Sequence, residues 1–192
     1  MKKLALVFVA SLFLTSLSVL AQQSEKPLMA KFLAEGGIEY GGDELLTVFF
    51  TNGGDQTMLA GQGGYLALGG DFQFKKIKSL MLRATIGFKY NTTAASNANI
   101  RLTRLPINII PYWKINKDFR IGIGITTHQI VKLNGDGFIA DVDFTSSLGP
   151  RFELGYKWVA LTYTAIKYKA DTNESFSASS LGVSLSFTFP TK

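Results

Sequence analysis

The chain has 192 residues, a formal net charge of +6, one histidine and no cysteine. This length is enough for one domain, and without cysteine the chain has neither a disulfide framework nor an N-terminal cysteine for lipid attachment. The positive charge is dispersed, which argues against a nucleic-acid partner. A single histidine without cysteine argues against a zinc site, and we expect no metal and no cofactor.

The first predicted element is a cleaved signal peptide. Lys2 and Lys3 form a charged start, residues 4–20 an apolar core, and Val19-Leu20-Ala21 a small-residue cleavage site. The core is marginal for a membrane-spanning helix of about 20 residues, so we expect export and cleavage after Ala21. The predicted organisation is a signal peptide over residues 1–21, a short periplasmic segment over 22–30, a β-barrel over 31–189 and a tail over 190–192.

Eight strand-like segments follow, each alternating apolar and polar residues with the two-residue period of a strand. Short connections alternate with longer ones along the chain, which is typical of up-and-down outer-membrane barrels. The predicted strands are Lys31–Tyr40, Met58–Phe74, Leu80–Asn91, Ile100–Trp113, Phe119–Val131, Ala140–Leu154, Trp158–Lys169 and Ser177–Phe189.

The alternation also predicts which face meets lipid. In the third strand Ile86 and Phe88 share one face, and Arg83 and Lys89 lie on the other. A charged side chain on the lipid face costs up to about 2–4 kcal/mol near the bilayer midplane, so the polar face must point into the lumen. We predict an all-β fold, a closed antiparallel up-and-down transmembrane β-barrel of about eight strands.

Two segments depart from the regular pattern. In the fourth strand Ile100 and Leu102 share one phase and Leu105 takes the other, which predicts a β-bulge near Thr103-Arg104. The apolar segment Glu44–Thr51 fits an extension of the first two strands, a plug, or an additional strand that would point to a ten-stranded barrel.

The polar phase carries the candidate functional residues. An eight-stranded barrel is just wide enough inside for side chains, and opposite charges there are expected to pair, because an unpaired buried charge is strongly disfavoured. We predict a lumen filled with ion pairs and hydrogen bonds, and a polar path for small solutes is the alternative. The predicted lumenal network is Glu35, Glu39, Arg83, Lys89, Arg101, Arg120, His128, Asp141, Asp143, Arg151 and Glu153.

We predict no catalytic residue. A catalytic histidine needs a nucleophile or a carboxylate within reach. Barrel enzymes that deacylate lipid A carry a lipid-facing histidine with a serine two residues later, whereas His128 is predicted to face inward and is followed at that spacing by Ile130.

Aromatic residues near strand ends predict interfacial girdles. At the outer rim these are Tyr40 and Tyr90, and at the periplasmic rim Tyr112, Trp113, Tyr156, Trp158 and Phe189.

The last strand resembles the C-terminal signal read by the bacterial barrel-assembly machinery. The matching positions are Ser180, Gly182, Leu185, Phe187 and Phe189. The resemblance implies that this machinery is a partner during biogenesis.

Three glycine-containing stretches, at residues 36–43, 61–65 and 147–157, are similar to those of small outer-membrane β-barrel proteins of Gram-negative bacteria. This resemblance covers nearly the whole mature chain, implies a lipid-embedded barrel and transfers no catalytic residues. We predict a monomeric outer-membrane protein in contact with lipid, with a structural or surface-loop interaction role. The alternatives are a narrow channel for small or amphiphilic solutes, a lipid-modifying enzyme, and a soluble periplasmic carrier resembling lipocalins.

Overall fold

The structure, a computed structural model, describes residues 28–50, 53–93 and 99–190. The predicted signal peptide and the last two residues lie outside the described residues. Within them no helix has the length and apolar character needed to cross a membrane. The described strands are β1 Leu28–Tyr40, β2 Glu44–Phe49, β3 Asp55–Leu59, β4 Gly63–Phe74, β5 Leu80–Thr92, β6 Arg101–Lys114, β7 Phe119–Asn134, β8 Val142–Ser146, β9 Gly149–Tyr156, β10 Val159–Thr164, β11 Lys167–Ala170, β12 Ser175–Ser177 and β13 Ser180–Phe189.

Eleven of these strands form one sheet that closes on itself, because β7 pairs with both β6 and β9. The pairs β8 and β9, β10 and β11, and β12 and β13 are consecutive parts of single barrel strands, each interrupted by two residues. The barrel therefore has eight antiparallel strands, and the predicted fold class is confirmed. β1 begins at Leu28, within the segment that was predicted to precede the barrel.

The first and last strands complete the closure. Phe32 of β1 lies opposite Phe189 of β13, and the pairing continues to Tyr40 opposite Leu181. A closed sheet satisfies the backbone donors and acceptors of its strands internally, which is the condition for crossing hydrocarbon. The short turns, at residues 75–79, 115–118 and 157–158, share one end of the barrel, here the short-turn end, and the opposite end is the long-loop end.

Large apolar side chains lie on the outer wall. On β7, Ile121, Ile123 and Ile125 are exposed, whereas Arg120 and Thr126, which flank them, are buried inside. The same polarity holds around the barrel, as expected for a wall that contacts lipid. The other exposed apolar residues of the outer wall include Ile38, Leu66, Leu68, Ile86, Phe88, Leu154, Leu161, Leu181, Val183 and Phe187.

The aromatic residues at the strand ends also lie on the outer wall, with one exception. Tyr112 is fully buried in the lumen, so its predicted place in the girdle is wrong. β6 keeps a single phase, and its even-numbered positions all point inward. The exposed members are Tyr40, Tyr90, Trp113, Tyr156, Trp158 and Phe189.

The pairing shifts between Thr103 and Leu105, where a bulge was predicted, but the extra residue lies in the neighbouring strand, β7. Leu105 pairs with Gln129 and Thr103 with Lys132, so three steps along β7 match two along β6. Two residues of one strand against one of its partner is the definition of a bulge. Ile100 and Leu102 need no slip, since they point inward with Arg104.

The bulge in β7 reverses the phase of that strand. Ile130 has a positive φ of 50° and an exposed side chain. Before it, Thr126 and His128 point inward; after it, Val131 and Leu133 do. The interior therefore changes from polar to apolar toward the long-loop end.

The apolar segment after β1 is a separate hairpin. β2 and β3 pair only with each other, so the barrel keeps eight strands rather than ten. Leu45, Leu46 and Val48 of β2 pack against buried residues inside the long-loop end, here the apolar cluster. That cluster contains Met58, Ala60, Ile100, Leu102, Val131, Leu133, Phe144, Ile166, Tyr168, Ala170 and Ala178.

Candidate functional site

The middle of the lumen holds a network of buried ion pairs. Arg83 of β5 donates from Nε and Nη2 to the two carboxylate oxygens of Asp71 of β4, at 2.7 and 2.9 Å. Its Nη1 donates to Glu35 of β1 at 2.9 Å. A guanidinium that binds one carboxylate with two parallel bonds and a second with its remaining nitrogen has a fixed orientation. Arg83 thereby joins the adjacent strands β1, β4 and β5 inside the barrel.

A second group of charges is centred on Glu39 of β1. Arg151 of β9 donates from Nη1 to Glu39 at 2.7 Å and from Nε to Glu153 at 2.7 Å. Lys89 of β5 forms an ion pair with the other oxygen of Glu39. Two cations therefore share one carboxylate, and the Ser180 hydroxyl adds a hydrogen bond at 3.3 Å. Full partnering of this kind is what allows charges to stay buried.

Two tyrosines connect the groups. The Tyr65 hydroxyl donates to Glu35 at 2.9 Å and accepts from Nη2 of Arg151 at 3.2 Å. The Tyr112 hydroxyl donates to Glu153, and its ring lies under the Arg83 guanidinium at 5.2 Å. Together they make the charged residues a single polar layer across the lumen.

Beside this layer, toward the long-loop end, a short segment of chain lies inside the lumen. Residues 60–62 follow β3, and Arg104 of β6 donates to the carbonyls of Ala60 and Gln62 at 2.7 and 2.6 Å. Lys89 donates to the carbonyl between them, that of Gly61. We call residues 60–62 the crossing segment, because they carry the chain from the β2–β3 hairpin to the barrel wall at β4. Because Ala60 also belongs to the apolar cluster, the segment connects the polar layer to the apolar interior above it.

Most of the predicted lumenal residues lie inside the barrel, and three do not. Arg101, Asp141 and Asp143 are exposed, so their predicted place in the lumen is wrong. Arg101 takes an outward position of β6. The buried ones are Glu35, Glu39, Arg83, Lys89, Arg120, His128, Arg151 and Glu153.

Asp141 and Asp143 are outside because the phase of their strand changes between β8 and β9. Phe144 points inward on β8, and Arg151 points inward on β9, although one position is even and the other odd. Asp143 therefore meets the exposed Lys132 at 3.4 Å on the outer surface. Asp141 accepts from the backbone N–H of Gly135 at 2.8 Å in the preceding loop.

His128 is buried beside an aromatic residue. Its Nδ1 shares a hydrogen bond with the Tyr168 hydroxyl, and its backbone N–H donates to Ser146 Oγ at 3.2 Å. The Ser146 hydroxyl thus meets the backbone and not the imidazole, so the two do not form a nucleophile–base pair. Across residues 28–50, 53–93 and 99–190, no cluster of three or more His, Cys, Asp or Glu side chains could hold a metal ion.

Three further residues of the lumen were not predicted: Asp71, Tyr65 and Arg104. The alternation of β4 indicates the inward position of Tyr65 and Asp71, since both lie on the face opposite the exposed Leu66 and Leu68. The inward position of Arg104 was not predicted, because the predicted bulge at Thr103-Arg104 interrupted the alternation there.

An apolar outer wall around a closed lumen of paired charges defines the class: this is a small transmembrane β-barrel of the bacterial outer membrane, in the location that was predicted. Within that class the chain is similar to the attachment invasion locus protein Ail of Yersinia pestis, with 11% identity and a TM-score of 0.46 over 85% of this chain and 100% of that chain. A structure of Ail with the heparin analogue sucrose octasulfate matches with 12% identity and a TM-score of 0.44, over 82% and 97%.

Neisserial surface protein A (NspA) matches with 13% identity and a TM-score of 0.42, over 83% of this chain and 99% of that chain. No family model and no curated protein matches the chain. At such low identities and TM-scores the likeness carries no argument about function, which must come from the barrel itself.

Proposed function

We propose that this protein is a closed outer-membrane barrel that acts through its surface loops and does not conduct solutes. The observation that carries the proposal is the crossing segment, whose three carbonyls are held by Lys89 and Arg104 within the barrel. Conduction needs a continuous path that ions or solutes can enter and leave. The interior of an eight-stranded barrel is just wide enough for side chains, so a backbone segment fixed inside it blocks such a path.

The layers on either side of the crossing segment support closure. On one side lie the ion pairs of Arg83 and Arg151, each with a buried carboxylate partner. On the other side lies the apolar cluster, covered by the β2–β3 hairpin. Water or a polar solute would have to break charge pairs at one level and enter an apolar layer at the next, and both steps are costly.

The long-loop end exposes apolar side chains that lie outside the lipid-facing wall of the barrel. Phe49 of the hairpin is 81% exposed, and Phe138 of the loop between β7 and β8 is 58% exposed. Aromatic residues, Phe among them, are enriched at protein interfaces relative to the rest of the surface. We infer that these two loops form the contact surface.

The charge of this end does not favour a sulfated ligand like the one bound to Ail. Among the described residues, exposed acidic side chains outnumber basic ones at the long-loop end. The acidic residues are Asp43, Glu44, Asp55, Asp136, Asp141, Asp143, Asp171 and Glu174, and the basic ones are Arg101, Lys132, Lys167 and Lys169. A polyanion would be repelled by the net negative charge of such a surface.

We also propose that the protein has no catalytic role. A lipid-modifying enzyme must present its histidine to the bilayer, but the His128 side chain is buried inside the barrel against Tyr168. The alternative of a soluble carrier requires an apolar interior and a polar exterior, and the outer wall has the opposite polarity.

Planar-bilayer recording of the purified protein tests closure. We expect no discrete conductance steps from the wild type, and steps from the double variant Lys89→Ala, Arg104→Ala, because the crossing segment loses the side chains that hold it. Lys132→Ala, which removes an exposed cation, is the matched control. Wild-type steps that Arg83→Ala abolishes would identify a channel instead.

Attachment of producing cells to a panel of immobilised extracellular proteins tests the contact surface. We expect the double variant Phe49→Ser, Phe138→Ser to attach less than the wild type, with Asp171→Ser unchanged. If the double variant attaches as well as the wild type, the two loops are not a contact surface and the barrel has a structural role only.

A further inference from the structure

The short-turn end carries an excess of positive charge. Exposed lysines occupy all three turns there, and two further lysines lie at the adjoining strand ends. Asp118 is the one exposed acidic residue among the described residues of these turns. The turn lysines are Lys75, Lys76, Lys78, Lys117 and Lys157, and the strand-end lysines are Lys31 and Lys114.

Several of these cations converge on one cavity. It has a volume of about 340 Å³ at the short-turn mouth of the lumen, and its lining includes Lys114, Lys117 and Lys157 together with Arg120. The anionic groups of the lining are Asp118 and Asp71, and Asp71 is already bound by Arg83 through two hydrogen bonds. The cavity is therefore electropositive, and a concave surface concentrates such a field.

Arg120 is a nearly buried cation in the lining of the cavity. Its side chain is 9% exposed, and its Nη1 and Nη2 donate to the Lys157 carbonyl and to Ser186 Oγ. Its guanidinium also lies over the Tyr112 ring at 5.6 Å. These partners are neutral, and no described carboxylate forms an ion pair with it. A nearly buried cation without a counter-ion, beside an open cavity, favours an anionic ligand.

The remaining walls of the cavity are aromatic. Trp158 and Phe187 both line it, stack with ring centroids 6.4 Å apart, and face the lipid side of the barrel. Phe189 extends the same surface. The cavity thus adjoins both the cationic mouth and the apolar wall, which suits a ligand with an anionic head.

We propose that this mouth is a binding site for a phosphate group, held by Arg120, Lys114, Lys117 and Lys157. Phosphate oxygens accept charge-assisted hydrogen bonds from guanidinium and ammonium groups and supply the missing counter-ion. Two sources carry the same chemistry: the headgroup of an anionic phospholipid, and a free inorganic phosphate. The site is independent of the long-loop end and of whether the lumen conducts.

Native mass spectrometry of the intact barrel tests the proposal. The protein is placed in nanodiscs of phosphatidylcholine with or without phosphatidylglycerol, and released complexes are counted for retained lipid. In a second arm, inorganic phosphate is titrated against the protein in phosphatidylcholine discs, with ³¹P NMR as the readout. We expect retained phosphatidylglycerol, or a saturable phosphate signal, in one of the two arms.

Two variants keep the test falsifiable. Lys117→Gln with Lys157→Asn alters exposed turn residues only, and should weaken binding about fivefold or more for each cation lost. Arg120→Gln should weaken it further, once heat-modifiable migration shows that the barrel is folded. The matched control is Lys132→Gln with Lys169→Gln, which removes two exposed cations at the long-loop end.

Retained phosphatidylglycerol without a phosphate signal would assign the site to a lipid headgroup. A saturable phosphate signal without retained lipid would assign it to the free anion. Binding in neither arm, or binding that the control pair weakens as much as the mouth variants do, would overturn the proposal.

Discussion

Nη1 of Arg151 lies 2.7 Å from Oε1 of Glu39, although the two residues are 112 positions apart in the sequence. They come from β9 and β1, which are not neighbours in the sheet. The ion pair therefore links, through the lumen, two strands that are separated in the sheet by the β12–β13 and β10–β11 strands. Its partners Lys89 and Glu153 extend the contact to β5 and to a second carboxylate.

Neutralising Glu39 should destabilise the barrel strongly. Glu39→Gln leaves Lys89 and Arg151 buried with one carboxylate fewer, and breaking a buried pair costs about 3–5 kcal/mol. Urea unfolding of the protein in lipid vesicles measures the change. The control is Asp143→Asn, which removes the exposed pair with Lys132 and should cost less than about 1 kcal/mol. Equal effects of the two changes would contradict a structural role for the lumenal pair.

Tyr112→Phe should lower the free energy of unfolding by about 1–3 kcal/mol, because Glu153 loses a hydrogen-bond donor inside the lumen. Tyr156→Phe is the matched control, since Tyr156 is 45% exposed on the outer wall. The pair is compared by the same urea titration. A free energy of unfolding that Tyr112→Phe leaves unchanged would contradict the lumenal position of Tyr112 and favour the predicted position in the interfacial girdle.

The crossing segment can be probed with single cysteines, since the chain has none of its own. Ala60→Cys should react with a water-soluble maleimide far more slowly than Asp55→Cys, because Ala60 is fully buried and Asp55 is exposed. Adding Arg104→Met should speed the reaction at position 60 by about tenfold, roughly 1.4 kcal/mol of lost restraint. A rate at position 60 that matches position 55 in the wild type would mean that the lumen is open from outside.

Two glycines of β4 offer a matched test of packing between strands. A Cβ on Gly69 would run into the backbone of Ala84 and Thr85, whereas a Cβ on Gly64 would meet only the Gly37 carbonyl oxygen at 3.9 Å. Gly69→Ala should cost about 1–3 kcal/mol or more, and Gly64→Ala should stay within about 0.5 kcal/mol. Unfolding in lipid vesicles distinguishes them, and the reverse order would contradict the β4–β5 register.

The assembly signal stays a prediction. Leu185 and Phe187 lie on the outer wall and Ser180 is buried, which places the three residues on the faces that the pattern requires.

The alternation along single strands, together with the predicted signal peptide and the alternating loop lengths, predicted the closed barrel, its eight strands and the inward position of Arg83, Lys89 and Arg120. These conclusions depend on a local property, the two-residue period, together with the high cost of exposing a charge to lipid. The same period predicted the lipid-facing wall.

Only the tertiary structure decided where that period breaks. The bulge at Ile130 and the interruption between β8 and β9 reverse the phase of two adjacent strands, which turns Asp143 outward and Phe144 inward. A phase reversal is defined by pairing with the neighbouring strand, and that pairing cannot be predicted from the sequence of either strand alone. For the same reason the positions of the β2–β3 hairpin and of the crossing segment inside the barrel depended on contacts with distant residues such as Arg104.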